Sequence, residues 1–397
     1  MFGKFIKSKG VTVAFLVMLI YSFSVFAIYF TGYKPLPSHV TDLPIALVNQ
    51  DKQSNKLNSQ LKQSLSSFKT VHETGNLKQA VNDLQSRKNY LVVDIPKGFS
   101  SNVQNNKNAK LKFYINEANQ VSVVSGMNTV ATKIGNAVNN KVQLEKGKVA
   151  LTKVTMQQIQ AAPAAVQVQQ APIAQAKVNS LYNKIGNSVS TDIHRINKVD
   201  TGMNHSMAPF FISLATYLAA MIGTVVLYGV YAKFAREIGR FKSFALLEIV
   251  FTALAIIGGA FVATILICIT KNGASNWLGI WLTQGLEIMG AYNINLILVL
   301  LLGQSGMVLN IFITIIQVVA GAGMIPVELM GNFFKISHNF SPVYYSVMSN
   351  FDLLNANNAP SNLAWSALLL IIGYIIVNSI IVTFRKKQPM LHFENLA

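Results

Sequence analysis

Long uncharged apolar runs bracket one large polar block. Between Lys9 and Lys34 lie 24 uncharged residues, Ser206–Ala232 adds 27, and Ile249–Thr270 adds 22. The stretch from Ile288 to Val327 holds 40 residues without a charge. A helix crossing about 30 Å of hydrocarbon needs roughly 20 apolar residues. The 40-residue run is therefore two crossings, and Gly303-Gln304-Ser305-Gly306 near its middle predicts a tight helical hairpin. A last run, Leu353–Phe384, contains Pro360, so its helix is expected to start just after the proline. The pattern predicts six spans. These are a first span over 10–32 and a five-span membrane domain over 207–384, with end segments 1–9 and 385–397. The first run exceeds a signal-peptide core of about 7–15 residues and is followed by no Ala-x-Ala-like site, which favours an uncleaved anchor over a cleaved leader.

The polar block, residues 33–206, changes period twice. LPIALVN (43–49) and YLVVDIP (90–96) predict buried strands, and AKLKFYIN (109–116) alternates as a half-exposed one. NKLNSQLKQSLSSF (55–68) and GNLKQAVNDLQSRK (75–88) have helix spacing. Strands alternating with helices predict a small α/β domain. From Val121 to Ser206 no strand signal is read. Ala, Gln, Val and Asn dominate, broken by Pro163 and Pro172. Ala and Gln favour helix, so a pair of long helices forming a stalk is expected, with flexible linker as the alternative. The fold class is thus a six-span α-helical polytopic membrane protein. An extracytoplasmic α/β domain and a helical stalk are inserted between spans one and two.

Charge then supplies orientation. Only 12% of residues are charged, against about 25% in a soluble domain. That excludes an ordinary cytosolic enzyme or a disordered chain. Lys4, Lys7 and Lys9, the loop KFAREIGRFK (233–242), and Arg385-Lys386-Lys387 fall on one side of a six-span chain. Positive short loops stay inside, so both termini are expected in the cytoplasm of a cell-membrane protein, with 33–206 outside. The outer block holds 21 Lys+Arg against 9 Asp+Glu, a formal +12. That points to anionic wall polymers or lipid head groups, or simply to solubility, rather than to nucleic acid. The single cysteine, Cys268, allows no intrachain disulfide.

Catalytic patterns are missing. Gly3-Lys4 and Gly147-Lys148 lack the Ser/Thr and the preceding glycine of a phosphate-binding loop, and His72-Glu73 lacks the second histidine of a zinc-protease helix. Gly303-Gln304-Ser305-Gly306 is one residue short of a nucleophile elbow. Neither catalytic activity nor a cofactor or metal is expected of this chain.

Other positions invite roles outside catalysis. In 232–242, Phe234, Ile238 and Phe241 fall at i, i+4 and i+7, with Arg236, Glu237 and Arg240 on other faces. That spacing predicts a short amphipathic helix on the membrane surface, the alternative being a basic loop that only fixes topology. MFGKFIKSK (1–9) is patterned similarly. Small residues recur every four positions at Ala215, Ala219 and Gly223, and at Ala255, Gly259 and Ala263. Both stripes are expected to be packing seams within one subunit. Glu248, Glu287 and Glu328 are placed near span ends, Glu248 at a helix N-terminus where the dipole favours it. Glu328 follows the Gly/Pro break 321–326, which must be wet or protein-lined; it is weighed for an outer gate.

Three stretches resemble the YhgE/Pip (phage infection protein) family of ABC-2-type exporter permeases. LPIALVNQDK (43–52) resembles its strand entry after the first span. YLVVDIPKGFSSNV (90–103) with LKFYINEAN (111–119) is similar to its "IP-x-x-FS … YYNEAN" pattern. GAGMIPVELMGNFFKISHNFSPVYYSVMSNFDLL (321–354) resembles its re-entrant segment, usually "GG-x-x-P-x-x-x-x-x-x-FF … P-x-x-Y", and Pro326, Glu328, Phe333, Phe334, Pro342 and Tyr344 are the candidate residues of this outer segment. The domain is short for that family, and Asn350 stands where related permeases often carry an arginine.

The resemblance implies a permease half that moves an amphipathic or cell-envelope molecule outward. Its energy would come from a separate ATPase docked on 232–242, through Phe234, Arg236, Glu237, Ile238, Arg240 and Phe241. A second permease half, identical or related, would complete the unit in the bilayer. The alternative implied by the family name is a non-transporting surface scaffold or receptor.

Overall fold

A computed structural model describes residues 38–105, 107–161, 188–200, 202–270, 273–356 and 362–385. The expected first span (10–32), segment 1–9, Pro163 and Pro172, and the tail beyond Arg385 lie outside these residues. The chain divides into two compact units. Residues 40–116 and 123–196 make one, and residues 117–122 join 197–397 in the other.

The first unit is an α/β sandwich. Strands β1 (Ile45–Asn49), β2 (Val71–Thr74), β3 (Leu91–Ile95), β4 (Ala109–Asn116) and β5 (Val189–Ile196) form one sheet in the order β2-β1-β3-β4-β5. β1 runs parallel to both β2 and β3, β3 antiparallel to β4, and β4 parallel to β5. β1 and β3 are interior strands buried on both faces, which is why IALVN and LVVDI are mostly apolar, with Asp94 the one carboxylate in LVVDI. Helices α1 (Asn55–Ser64), α2 (Leu77–Gln85), α3 (Phe99–Gln104) and α4 (Val121–Ala161) accompany it.

Strand parity assigns α2 and α4 to opposite faces. Ala46, Val48 and Val92 share a core with Ala80 and Leu84 of α2. On the other face Leu111 lies in register with Thr191, and Thr191 packs so closely on Gly135 of α4 that a β-carbon there would collide with it. Asn139 of α4 also accepts from the Val189 N–H at 3.1 Å.

Two strands depart from expectation. β2 (VHET) is a short edge strand with little apolar content. β5 lies inside the region expected to be stalk: α4 is a long helix as far as Ala161, residues 162–187 lie outside the described residues, and β5 pairs with β4 in the sheet. In VSTDIHRI only Val189, Thr191 and Ile193 alternate as β-formers, and the strand is half-exposed at the sheet edge. Its hydropathy signal is weak because burial asks little of it.

The second unit is helical: α5 (Ala208–Glu237), α6 (Arg240–Thr270), α7 (Trp277–Leu302), α8 (Gln304–Ala320), α9 (Asn332–Ser337), α10 (Pro342–Asn350) and α11 (Leu363–Phe384). Four helices among the described residues are long and apolar enough to cross a membrane, namely those spanning Ala208–Glu237, Arg240–Cys268, Ala274–Leu302 and Leu363–Phe384. α8 has 17 residues, which gives about 25 Å of helix against the roughly 30 Å of a hydrocarbon core. Two turns are glycine-made. Gly239 (φ 89°) ends α5 and Gly303 (φ 61°) reverses α7 into α8, conformations that L side chains avoid. The α7–α8 hairpin is so tight that a β-carbon on Gly306 would strike the Leu298 carbonyl.

Side-chain pairs fix the helix directions. Thr216 meets Gln284, and Gly223 abuts Tyr292, so α5 and α7 run parallel. Trp277 donates to Thr264 and Trp281 to the Ile256 carbonyl, so α6 runs against α7. Asn378 meets Asn293, and Arg385 donates to the Leu300 carbonyl at 2.7 Å, so α11 is parallel to α7. α7 is the centre: 61% of its apolar window is buried, against 33%, 28% and 22% for α5, α6 and α11.

The small-residue stripe on α6 is a seam. A β-carbon on Gly259 would lie 2.9 Å from the Gly285 nitrogen, and Ala263 is fully buried. On α5 only Gly223 makes such an approach, against Tyr292; Ala215 and Ala219 are exposed.

Candidate functional site

Because α7 is enclosed by its neighbours, its polar side chains face protein. Gln284, Glu287 and Asn295 stand at i, i+3 and i+11, on one helical face, and each is at most 2% exposed. Glu287 Oε2 accepts from Ser346 Oγ of α10 at 2.5 Å. Ser346 Oγ lies 2.8 Å from Ser213 Oγ of α5. Asn350 Nδ2 donates to Ser213 at 3.1 Å, and Thr216 Oγ1 to Gln284 Oε1 at 3.0 Å. Three helices thus converge on one carboxyl group. Its second oxygen, Oε1, is buried without a hydrogen-bond partner. Glu287, Ser346, Thr283 and Tyr345 also line a cavity of about 10 Å³, the size of about one water.

The polar interior extends beyond this cluster. Asn310 of α8 donates to the Asn295 carbonyl at 2.8 Å, and Gln317 accepts from Ser341 at 2.5 Å. A second carboxyl group, Glu248 of α6, accepts from Asn293 at 3.3 Å, and Asn378 of α11 donates to Asn293 at 3.0 Å. Among the described residues no group of three His, Cys, Asp or Glu side chains could hold a metal.

Placing Glu287 and Glu248 near span ends is corrected here. Glu287 sits well inside the 26-residue α7, and Glu248 more than two turns into α6. Treating a span as an uncharged run cuts α7 at its own functional candidate. The signal lay in Gln284, Glu287 and Asn295 sharing one face. Ser346 and Ser213 carried none, since single serines on apolar helices are common.

The amphipathic helix expected over 232–242 is not formed. Residues 232–237 complete α5, Ile238 and Gly239 make the turn, and Arg240–Lys242 begin α6. Gly239, at φ 89°, interrupts the helical spacing of Phe234, Ile238 and Phe241. Phe234, Ile238 and Phe241 nonetheless remain exposed, at 42%, 40% and 55%. The Arg240 guanidinium lies 4.8 Å from the Phe241 ring centre. Arg236, Glu237 and Arg240 are thereby gathered on one hairpin. The helix directions put this hairpin and Arg385 at the same end of the bundle.

The segment 321–342 lies at the opposite end as a series of short turns. Pro326 precedes a 3₁₀ turn, Val327–Leu329, that contains half-buried Glu328. Phe334 is buried at 2% while Phe333 is 59% exposed, so the pair does not act as one patch. Pro342 opens α10, capped by Ser341 accepting from the Tyr344 N–H at 3.1 Å. The 321–324 break is protein-lined. Gln120 donates to the Ala322 carbonyl and Ser122 to the Met324 carbonyl, both at 2.7 Å. Phe210 stands so near Gly323 that a β-carbon there would collide with its ring.

A mostly helical membrane protein with several spanning helices around a buried carboxyl cluster, and a separate α/β unit, is the class this architecture defines. The chain belongs to the family described as Protein of unknown function (DUF3533), which matches residues 14–380. No curated protein and no solved structure matches it.

Proposed function

We propose that the chain is the membrane permease subunit of an ABC-2-type exporter, moving an amphipathic or cell-envelope molecule outward. The observation that carries the reading is the Glu287–Ser346–Ser213 cluster inside the helix bundle. A carboxyl group at membrane depth is costly, and such residues mark substrate or ion pathways. The broken segment 321–342 adds support, because irregular backbone at membrane depth is tolerated where it is protein-lined or borders a cavity. On this reading there are six spans, with 10–32 as the first and α8 as the fifth. The basic end of the bundle is cytoplasmic and the α/β unit is outside. Both assignments follow from the positive-inside rule applied to the short loops.

Hydrolysis belongs to a separate ATPase subunit, consistent with a sequence that lacks a phosphate-binding loop. The α5–α6 hairpin docks it, and a second permease half completes the pathway. Purification of the full chain from its native membrane, followed by identification of bound subunits and an ATPase assay, tests the reading. A co-purifying ATPase whose turnover requires the permease is expected. A chain that carries no ATPase, yet still presents its α/β unit at the surface, would favour the scaffold or receptor.

A further inference from the structure

The α/β unit carries a groove of about 530 Å³ between α1, α3 and α4. Close-packed domains leave few voids larger than a water, whereas small-molecule sites run to roughly 300–1,000 Å³. Each wall is an apolar ridge. Leu57 and Leu61 stand one turn apart on α1, as do Phe99 and Val103 on α3. On α4 Ile134, Val138 and Val142 continue the same four-residue spacing. Leu61, Phe99 and Val138 are 2%, 3% and 6% exposed, so the base is firmly set in the domain.

The polar lining is asymmetric in charge. Lys56, Lys133 and Lys141 line the groove with a single carboxylate, Glu145. Glu145 is already matched by Lys56 at 3.6 Å. Among the described residues no carboxylate pairs with Lys133 or Lys141. These two project from α4 eight positions apart, about 12 Å along the axis. Ser54 and Ser100 are engaged with each other at 2.6 Å, and Ser54 donates to Asp51 at 2.8 Å. Gln53, Gln60 and Gln104 add neutral polar groups, so Lys133 and Lys141 are the unmatched charges of the lining. An apolar trough with unmatched positive charge is complementary to an alkyl chain ending in an anion.

We propose that this groove binds a single-chain lipid with an anionic head group, its alkyl chain between α1 and α4 and its head on Lys133 or Lys141. The site does not depend on the exporter reading, although under that reading it names the substrate class.

The test uses the full chain in phosphatidylcholine nanodiscs with palmitic acid carrying a diazirine in its alkyl chain. After irradiation, adducts are mapped by mass spectrometry of peptides. The expected result is adducts within 53–64 and 133–145, displaced by excess unlabelled palmitate. Ala137→Trp, which fills the groove, is expected to remove them. Lys133→Glu with Lys141→Glu should raise the palmitate needed for displacement at least about tenfold.

A second comparison needs no variant: the diazirine methyl ester, which lacks the charge, should label these peptides far more weakly. Adducts confined to the membrane helices, as when another segment of the chain fills the groove, would overturn the proposal. So would equal labelling by acid and ester. Neither outcome touches ATPase retention, which tests the exporter reading separately.

Discussion

Ser346 on α10 donates to Glu287 on α7 at 2.5 Å, and the same hydroxyl lies 2.8 Å from Ser213 on α5. One serine thereby ties three helices to a carboxyl group whose other oxygen has no partner. A purely structural cluster would be at least as stable with an amide in that position, because burying a charge is costly and burying a hydrogen-bonded amide is not.

Glu287→Gln should therefore fold, insert and melt at or above the wild-type temperature while losing transport-coupled ATPase turnover. Ser346→Ala should instead destabilise the bundle by about 1–3 kcal/mol, since it strips a buried carboxyl of the donor bonded to its Oε2. Thermal unfolding in detergent distinguishes the two. A glutamine variant with full turnover would make Glu287 a packing residue.

Asp94 on β3 and Asp51, in the turn that follows β1, are poised in opposite senses. Burial alone would raise Asp51, but hydrogen bonds from the Ser100 N–H, Ser54 and the Gln53 N–H outweigh it and hold its carboxyl below 3.8. Asp94 is raised above 3.8 by burial, against the opposing effects of Gln50, Lys112 and His194. Folded Asp94 therefore keeps its proton to a higher pH than the unfolded chain. Its contribution falls as pH rises from about 3.8 through its raised value. Asp51 contributes above 3.8 and loses that contribution as pH falls through its lowered value. Asp94→Asn should strengthen amide protection of β1 and β3 at neutral pH, and Asp51→Asn should weaken it at α1 and α3. Hydrogen exchange on the full chain reads both.

Orientation can be read with single cysteines. In a Cys268→Ala background, cysteines at Lys62 and Lys110, both exposed, should react with an impermeant thiol reagent on intact cells. A cysteine at Arg236 should react only after lysis. Reversal of that pattern would invert the proposed topology.

How much of this was legible in the sequence depends on what burial demanded. The strands IALVN and LVVDI, sealed on both faces, had to be largely apolar and announced themselves. β5, an edge strand of mixed composition, had no such obligation and went unread. The Gly303 hairpin was visible because few residues but glycine tolerate that turn. The carboxyl cluster was hidden by the rule that finds spans, which assigns charge to the outside. Glu287 is inside because Ser346 and the enclosure of α7 replace water around it, and that arrangement joins residues 59 positions apart. The coupling segment failed for another reason. Phe234, Ile238 and Phe241 keep helical spacing in number, but Gly239 between them turns the chain.

That turn reshapes the expectation for the proposed ATPase contact. Phe234 closes α5 and Phe241 opens α6, so the two aromatics are presented from the two arms of one hairpin. Interfaces draw most of their energy from a few buried aromatic and arginine anchors within a charged rim. Arg236, Glu237 and Arg240 supply that rim. Phe234→Ala with Phe241→Ala should leave insertion intact, because the basic residues that set orientation remain. Retention of the ATPase in a detergent pull-down should fall, with roughly 2–4 kcal/mol lost if both are hot spots. If the phenylalanines only anchor the hairpin in the lipid interface, retention will be unchanged. An expressed, correctly oriented double variant that still holds its ATPase would therefore remove the hairpin from the coupling role.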